Sequence, residues 1–442
     1  MKRAIIMSLI LLILFSGCNP EAVEKDIEQY DGTMKEIAEH FVNDFVSKDV
    51  DSILEKYNYT LQVEQALNRM MFIQVYSQIE NVNGEFTEIG ERTESNSLES
   101  SIITYQLIYT EGSIKLNIVF DNEKKIAGFN YVQEKEKVEY SESIVSEEVE
   151  FGSEEYPITG TITYPNQEDS FYAVILIPGS GPTDRDSTLY ENTPMKDLAL
   201  GLADKGIASL RFDKRNLLYG DKIDINSFTP YQEYIADVKF AYDLMVNNER
   251  IDNEHIYLIG HSQGGNLIPA FAKEVEAAGF VILSGNVTPL HELTIDQLEY
   301  LYNLDGELSD KEKQDLEGYK KMRDNINNLD ESSDFTPQQL MGVSKDYWLF
   351  YKKYDPIEQA KEIKEQVLIV NGSRDYQVPV SEYELWKNGL SNRENVTFKL
   401  YEGMNHLLFN GEGTPSPQEY LTAKNISQEL VNDIYNWIIN KN

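Results

Sequence analysis

The run Tyr257-Leu258-Ile259-Gly260-His261-Ser262-Gln263-Gly264-Gly265 reads as an apolar strand, Ile256 to Ile259, that ends in Gly-x-Ser-x-Gly and turns at once into a helical stretch, Asn266 to Ala272. Few folds accommodate that succession. A serine on such a turn is held in a strained backbone conformation, with its hydroxyl lifted clear of the sheet for attack on a carbonyl. Gly260 and Gly264 are expected where no side chain fits. Pro269 is compatible with the helix in or near its first turn, where a missing N–H costs little. The pattern also arises by chance in glycine-containing loops, so its partners decide the matter.

A serine hydroxyl is a poor nucleophile until a histidine takes its proton, and the histidine needs a carboxylate to fix its tautomer. On a strand-to-helix turn the expected chain order is Ser, acid, His. Of the five histidines, His40, His255, His261, His291 and His406, only two follow Ser262. His291 opens a polar helical segment and reads as a solvated or capping residue. His406 follows the apolar strand Val396 to Leu400 by a short loop, where the carboxyl end of a sheet would deliver a base. Asp375 is the candidate acid, in the polar loop after the buried-strand pattern Val367 to Val370. Its alternative role is a cap ahead of Val378-Pro379-Val380, and Asp355 in Tyr354-Asp355-Pro356 is the rival carboxylate. Strand Tyr172 to Ile177 runs into Pro178-Gly179-Ser180-Gly181-Pro182, a turn able to aim backbone N–H groups at a developing oxyanion. The Ser180 and Gln263 N–H groups are the candidate donors.

From roughly Val145 to the C-terminus the chain resembles the α/β-hydrolase superfamily, and Gly179-Ser180-Gly181-Pro182-Thr183-Asp184-Arg185-Asp186 is similar to the G-S-G-P-x-D-R-D signature of a bacterial esterase branch close to the serine aminopeptidase and dienelactone hydrolase-like groups. The resemblance implies a doubly wound, mostly parallel sheet, a Ser262, Asp375, His406 triad, no cofactor and no metal. Two residues depart from the pattern: Pro178 stands where relatives usually have histidine, and Asn216 ends a turn, Asp213-Lys214-Arg215-Asn216, that in relatives ends in glycine.

The N-terminus bears on location. Lys2 and Arg3 precede an apolar run from Ala4 to Phe15, then Ser16, Gly17 and Cys18, the only cysteine of the chain. This reads as a secretory signal, residues 1–18, in which Cys18 resembles the lipidated cysteine of a bacterial lipoprotein. Several acyl chains on Cys18 would hold the protein at a membrane surface. A lone cysteine excludes disulfides within a monomer and zinc–thiolate sites. The formal charge of −36 is spread along the chain and makes nucleic acid an unfavourable partner. Neither a G-x-x-x-x-G-K-[ST] nor a G-x-G-x-x-G element is present, which argues against an ATPase or a dinucleotide enzyme.

Residues 21–140 read as a separate small α+β unit. Met34, Ile37, Ala38, Phe41, Val42, Phe45 and Val46 form a helical apolar stripe, a second helix is expected near Val63 to Ile79, and four alternating segments follow as an antiparallel meander. That unit resembles an accessory domain of unknown function found before secreted bacterial hydrolases, and His40 in it reads as a surface residue. Residues 141–442 read as the hydrolase domain, opening with two antiparallel strands, Val145 to Tyr164. A helical insertion at about 287–355, after the strand Phe280 to Leu283, is expected to overhang the serine as a mobile cap. The expectation is a membrane-anchored hydrolase acting on a small ester or peptide. The competing expectation is an inactive surface-binding protein on a hydrolase fold.

Overall fold

The computed structural model describes residues 29–96, 100–166 and 170–440. The chain forms two compact units that meet in sequence between Lys135 and Glu136.

The first unit begins with the helix Met34–Val46, started by a capping box: Thr33 N–H donates to the Glu36 carboxylate (2.7 Å) and Glu36 N–H donates to Thr33 Oγ1 (3.3 Å). Its stripe buries Ile37, Ala38, Phe41, Val42 and Phe45. The single helix expected near Val63 to Ile79 is two, Leu61–Ala66 and Arg69–Asn83. Leu67 is extended, and Asn68 starts the second helix by accepting the Met71 N–H at 3.0 Å. Strands β1 (Phe86–Asn96), β2 (Ser101–Tyr109), β3 (Ser113–Phe120) and β4 (Ile126–Gln133) form an antiparallel sheet in sequence order. Alternation is clean in the middle strands. Ile103, Tyr105, Leu107 and Tyr109 of β2, and Ile114, Leu116, Ile118 and Phe120 of β3, are buried. The helices cover that sheet; the rings of Phe41 and Phe72 lie 5.0 and 5.6 Å from Phe129. His40 is exposed as expected, but it stacks on Tyr30 at 4.2 Å.

The second unit carries β5 (Val145–Gly152), β6 (Pro157–Tyr164), β7 (Phe171–Ile177), β8 (Ala208–Phe212), β9 (Ile251–His261), β10 (Gly279–Leu283), β11 (Gln366–Gly372) and β12 (Val396–Tyr401) in one sheet ordered β12-β11-β10-β9-β7-β8-β6-β5. β6 pairs antiparallel with both β5 and β8 near one edge, and β7 to β12 run parallel to one another. Along β7, Ala173, Ile175 and Ile177 face one apolar layer and Val174 and Leu176 the other. Burial on both faces is why the strands are continuous apolar runs. The helices Pro194–Ala203 and Gln428–Ile439 cover one face, while Ala236–Val246 and Val380–Leu390 cover the other. The chain leaves β7 for β8 on one side and returns to β9 on the other. This reversal opens a crevice at the carboxyl ends of β7 and β9, where Pro178 to Ser180 and Ser262 emerge.

The insertion after β10 contains the helices Leu290–Tyr302, Asp310–Asn327 and Lys345–Lys353. Its last helix is no loose cap: Tyr347, Trp348, Leu349 and Tyr351 are buried in the main core. Trp348 Nε1–H donates to the Leu340 carbonyl at 2.7 Å. Among the described residues no helix is long and apolar enough to cross a membrane.

Phe41, wholly buried in the first unit, tests which contact holds that unit together. Phe41→Ala is expected to lower its unfolding free energy by about 3–5 kcal/mol, read by urea denaturation; a loss below about 1 kcal/mol would show that the helix is not anchored through this ring.

Candidate active site

Ser262 sits at φ 55° and ψ −121°, a region that residues other than glycine rarely adopt. Its N–H donates to the Leu283 carbonyl of β10 (2.9 Å), and its carbonyl accepts the Asn266 N–H (2.9 Å). The flanking glycines have no positive φ; they are demanded by contact. A Cβ on Gly260 would lie 2.3 Å from the Gly264 oxygen, and one on Gly264 would lie 2.6 Å from the Pro178 oxygen. The helical stretch beyond is two short turns, Gln263–Asn266 and Ile268–Phe271, with Pro269 in the first turn of the second.

Asp375 and His406 follow β11 and β12 at the same end of the sheet. The Asp375 carboxylate is buried and lies 2.7 Å from His406 Nδ1 through Oδ2. Its Oδ1 accepts the N–H groups of Gln377 (2.9 Å) and Val378 (2.8 Å), so one carboxylate both caps its loop and meets the histidine. A carboxylate only accepts, which puts the proton on Nδ1 and leaves Nε2 a base. The two loops interlock. Arg374 N–H donates to the Met404 carbonyl (3.0 Å), and a Cβ on Gly372 would lie 2.0 Å from that oxygen. Asp355, the rival acid, accepts the Glu358 N–H and caps the helix Pro356–Ala360.

The structure adds a residue that sequence reasoning passed over. His261, next to the serine, is buried; its Nε2 lies 2.8 Å from the His406 carbonyl and its ring centroid 4.6 Å from that of His406. Burial, then the neighbouring His406, lowers its pKa to about 3. Neutral His261 donates to that carbonyl and ties the backbone of His406 to the strand presenting Ser262. The only signal in the sequence was its place inside the Gly-x-Ser-x-Gly run.

The turn after β7 lies against the serine: a Cβ on Gly179 would approach Ser262 Cβ to 3.0 Å. The longer signature around it is a clamp. Arg185 donates from Nη2 to Asp213 Oδ2 (2.6 Å) and from its N–H to Asp213 Oδ1 (2.9 Å), and Asp186 pairs with the buried Arg211 of β8. Thr159 of β6 donates to the same Asp213 (2.7 Å). The motif thus pins the loop to the strands beside it.

His291 is buried rather than solvated, with Nε2 2.9 Å from Asn327 Oδ1 and its ring against Trp348. A cavity of about 310 Å³ adjoins the acid loop, lined by Leu293 and Tyr300 of the insertion and by Arg374, Asp375, Tyr376 and Pro415, but not by Ser262. No group of acidic, histidine or cysteine side chains able to hold a metal occurs among the described residues. Cys18 lies outside the described residues.

A mostly parallel eight-stranded sheet with a strained serine on the turn after β9, at the point where the strand order reverses, defines an α/β-hydrolase. Residues 193–413, half of the chain, match the family described as serine aminopeptidase, S33. Over 403 residues the chain is 30% identical to esterase EstD of Thermotoga maritima, covering 90% of this chain and 94% of that protein. The chain belongs to this family of α/β-hydrolases. Residues 38–129 match a family of proteins of unknown function, DUF3887. Among solved structures, Est1E from Butyrivibrio proteoclasticus matches at 19% identity over 66% of this chain and 99% of its own, with a TM-score of 0.42. A Pyrococcus furiosus esterase matches at 15% identity over 67% and 92%, with a TM-score of 0.44.

With a folded-state pKa near 3 against an ordinary 6.5, His261 binds fewer protons folded than unfolded. The stability it contributes is therefore complete above about pH 6.5 and is lost as pH falls toward 3. Urea melts between about pH 7 and 4 should show a shallower acid loss in His261→Gln than in the wild type; equal slopes would mean that His261 charges within the folded protein.

Proposed function

We propose that the chain is a membrane-tethered serine hydrolase that cleaves carboxylic esters through an acyl-enzyme. Ser262 Oγ attacks the ester carbonyl as its proton passes to His406 Nε2. Asp375 holds the imidazolium that forms, and the N–H groups of Ser180 and Gln263 take the negative charge of the tetrahedral oxygen. The imidazolium then protonates the departing alcohol. Water repeats the sequence on the acyl-enzyme, giving its proton to His406 and releasing the acid and Ser262. The observation that carries this reading is the buried 2.7 Å bond between Asp375 and His406 at the sheet end that also presents Ser262 in its strained turn. The choice of esters is supported by the relative named as an esterase. A small-peptide substrate is the second reading, favoured by the family's description as a serine aminopeptidase.

The test pairs fluorophosphonate labelling with hydrolysis of short- to long-acyl nitrophenyl esters. Ser262→Ala is expected to lose labelling and turnover together, and Asp375→Asn to lower kcat by about ten-thousand-fold. Well-folded wild type that is neither labelled nor active would overturn the catalytic reading and favour a binding protein.

The tether rests on the segment Lys2 to Cys18. Cys18→Ala, expressed from the full chain, should move the protein from the membrane to the soluble fraction; continued membrane retention would defeat the lipid anchor.

A further inference from the structure

Behind the candidate oxyanion donors lies a closed ring of buried polar groups that the reaction does not itself use. Lys214, 1% exposed, donates from Nζ to Glu233 Oε1 (2.6 Å), to Tyr234 Oη (2.7 Å) and to the Gly179 carbonyl (3.0 Å). The Tyr234 hydroxyl lies 2.6 Å from the same carbonyl and 3.1 Å from Gln263 Oε1. Gln263 Nε2 donates to the hydroxyls of Tyr347 (2.6 Å) and Tyr351 (2.8 Å) of the insertion, and Tyr347 donates to Glu233 Oε2 (3.0 Å), which closes the ring. Asn216 adds a bond from Nδ2 to Glu233 Oε1 (3.0 Å). Burial pushes the hydroxyls of Tyr234 and Tyr347 well above their ordinary pKa, so both remain donors.

The ring touches both residues assigned to the oxyanion. The Gly179 carbonyl and the Ser180 N–H belong to one planar trans peptide and point in opposite directions, so fixing the carbonyl fixes the N–H. The Lys214 ammonium on that carbonyl also polarises the peptide and strengthens the N–H at its other end, and the single Tyr234 proton serves either the carbonyl or Gln263 Oε1 at one time. Gln263 supplies the second N–H, and its side-chain amide is held through Nε2 by the hydroxyls of Tyr347 and Tyr351. A donor preorganised toward a charge that develops only in the transition state lowers the barrier without tightening substrate binding.

We propose that Lys214, Tyr234 and Tyr347 are positioning residues that fix the Gly179–Ser180 peptide and Gln263 as an oxyanion hole, so that the last helix of the insertion is part of the catalytic frame. The proposal rests on the serine-hydrolase reading above.

The experiment compares wild type, Ser262→Ala, Tyr234→Phe, Tyr347→Phe and the charge-balanced pair Lys214→Met with Glu233→Gln. Measured values are kcat and KM for nitrophenyl acetate per fluorophosphonate-titrated site, and Ki for a trifluoromethyl ketone, which forms a tetrahedral oxyanion on the serine. Tyr234→Phe is expected to lower kcat by about tenfold and the pair by about a hundredfold, with KM within about twofold and Ki weakened in step with kcat. Folded Tyr234→Phe with wild-type kcat overturns the proposal, as does a fall in kcat that leaves Ki unchanged. If the pair does not fold, Tyr234→Phe alone decides. Inactive wild type means that the hydrolase reading has failed. Active wild type, dead Ser262→Ala and unaltered Tyr234→Phe mean that only the positioning role has failed.

Discussion

The site depends on one strained residue, Ser262 at φ 55°, and on the absence of side chains around it. A backbone conformation of this kind costs on the order of 1–3 kcal/mol and persists only where its surroundings leave no alternative. Here Gly260 packs on Gly264, Gly264 on the Pro178 and Ile177 carbonyls, and Gly179 on Ser262. The elbow after β9 and the turn after β7 are therefore one packed object rather than two loops that happen to meet. A methyl group at Gly179 or Gly264 would push the turn after β7 away from the elbow, and one at Gly260 would distort the elbow itself.

Charge keeps that object in register. The three residues that follow β8 each take an oppositely charged partner from elsewhere in the chain: Asp213 from Arg185, Lys214 from Glu233 and Arg215 from Asp237. Buried ion pairs of this sort contribute little net stability, because desolvation offsets most of the attraction. Their effect is geometric. Asp213 fixes the signature loop, Lys214 the peptide before Ser180, and Arg215 the helix Ala236–Val246 that packs on the sheet, so the short segment after β8 ties all three together.

The residues at strand ends were legible in the sequence because a continuous apolar run followed by a polar loop fixes where a side chain emerges, and parallel strands bring such loops to one edge. Ser262, Asp375 and His406 all belong to that class. The ring behind them was not legible, since Lys214, Glu233, Gln263 and Tyr347 come from separate segments and no periodicity pairs them. His261 was masked by the very motif that contains it. The break at Leu67 escaped because an asparagine cap competes with an otherwise unbroken apolar pattern. His291 read as solvated because its helix is polar, whereas Trp348 and Asn327 enclose it.

The insertion shows why a charged, helical segment cannot be read as a single mobile body. The helix Asp310–Asn327 buries only Leu316 and Ile326, so displacing it uncovers little apolar surface. The helix Lys345–Lys353 is the opposite case. Displacing it would expose Trp348, break both tyrosine bonds to Gln263 and release the buried Ser344 hydroxyl from the Phe228 carbonyl. Each of those losses falls on groups buried away from water, where an unmade hydrogen bond costs its full desolvation. The rigid part of the insertion extends back beyond Ser344, since Ile326, Leu329 and Leu340 are buried in the same core and the Leu340 carbonyl accepts from Trp348; the helix Leu290–Tyr302 lines the cavity beside the Asp375 loop. Tyr300 stacks on Tyr376 at 5.5 Å, one residue beyond Asp375. That helix thus meets the loop carrying Asp375, whereas the last helix of the insertion is tied to Gln263 through Tyr347 and Tyr351.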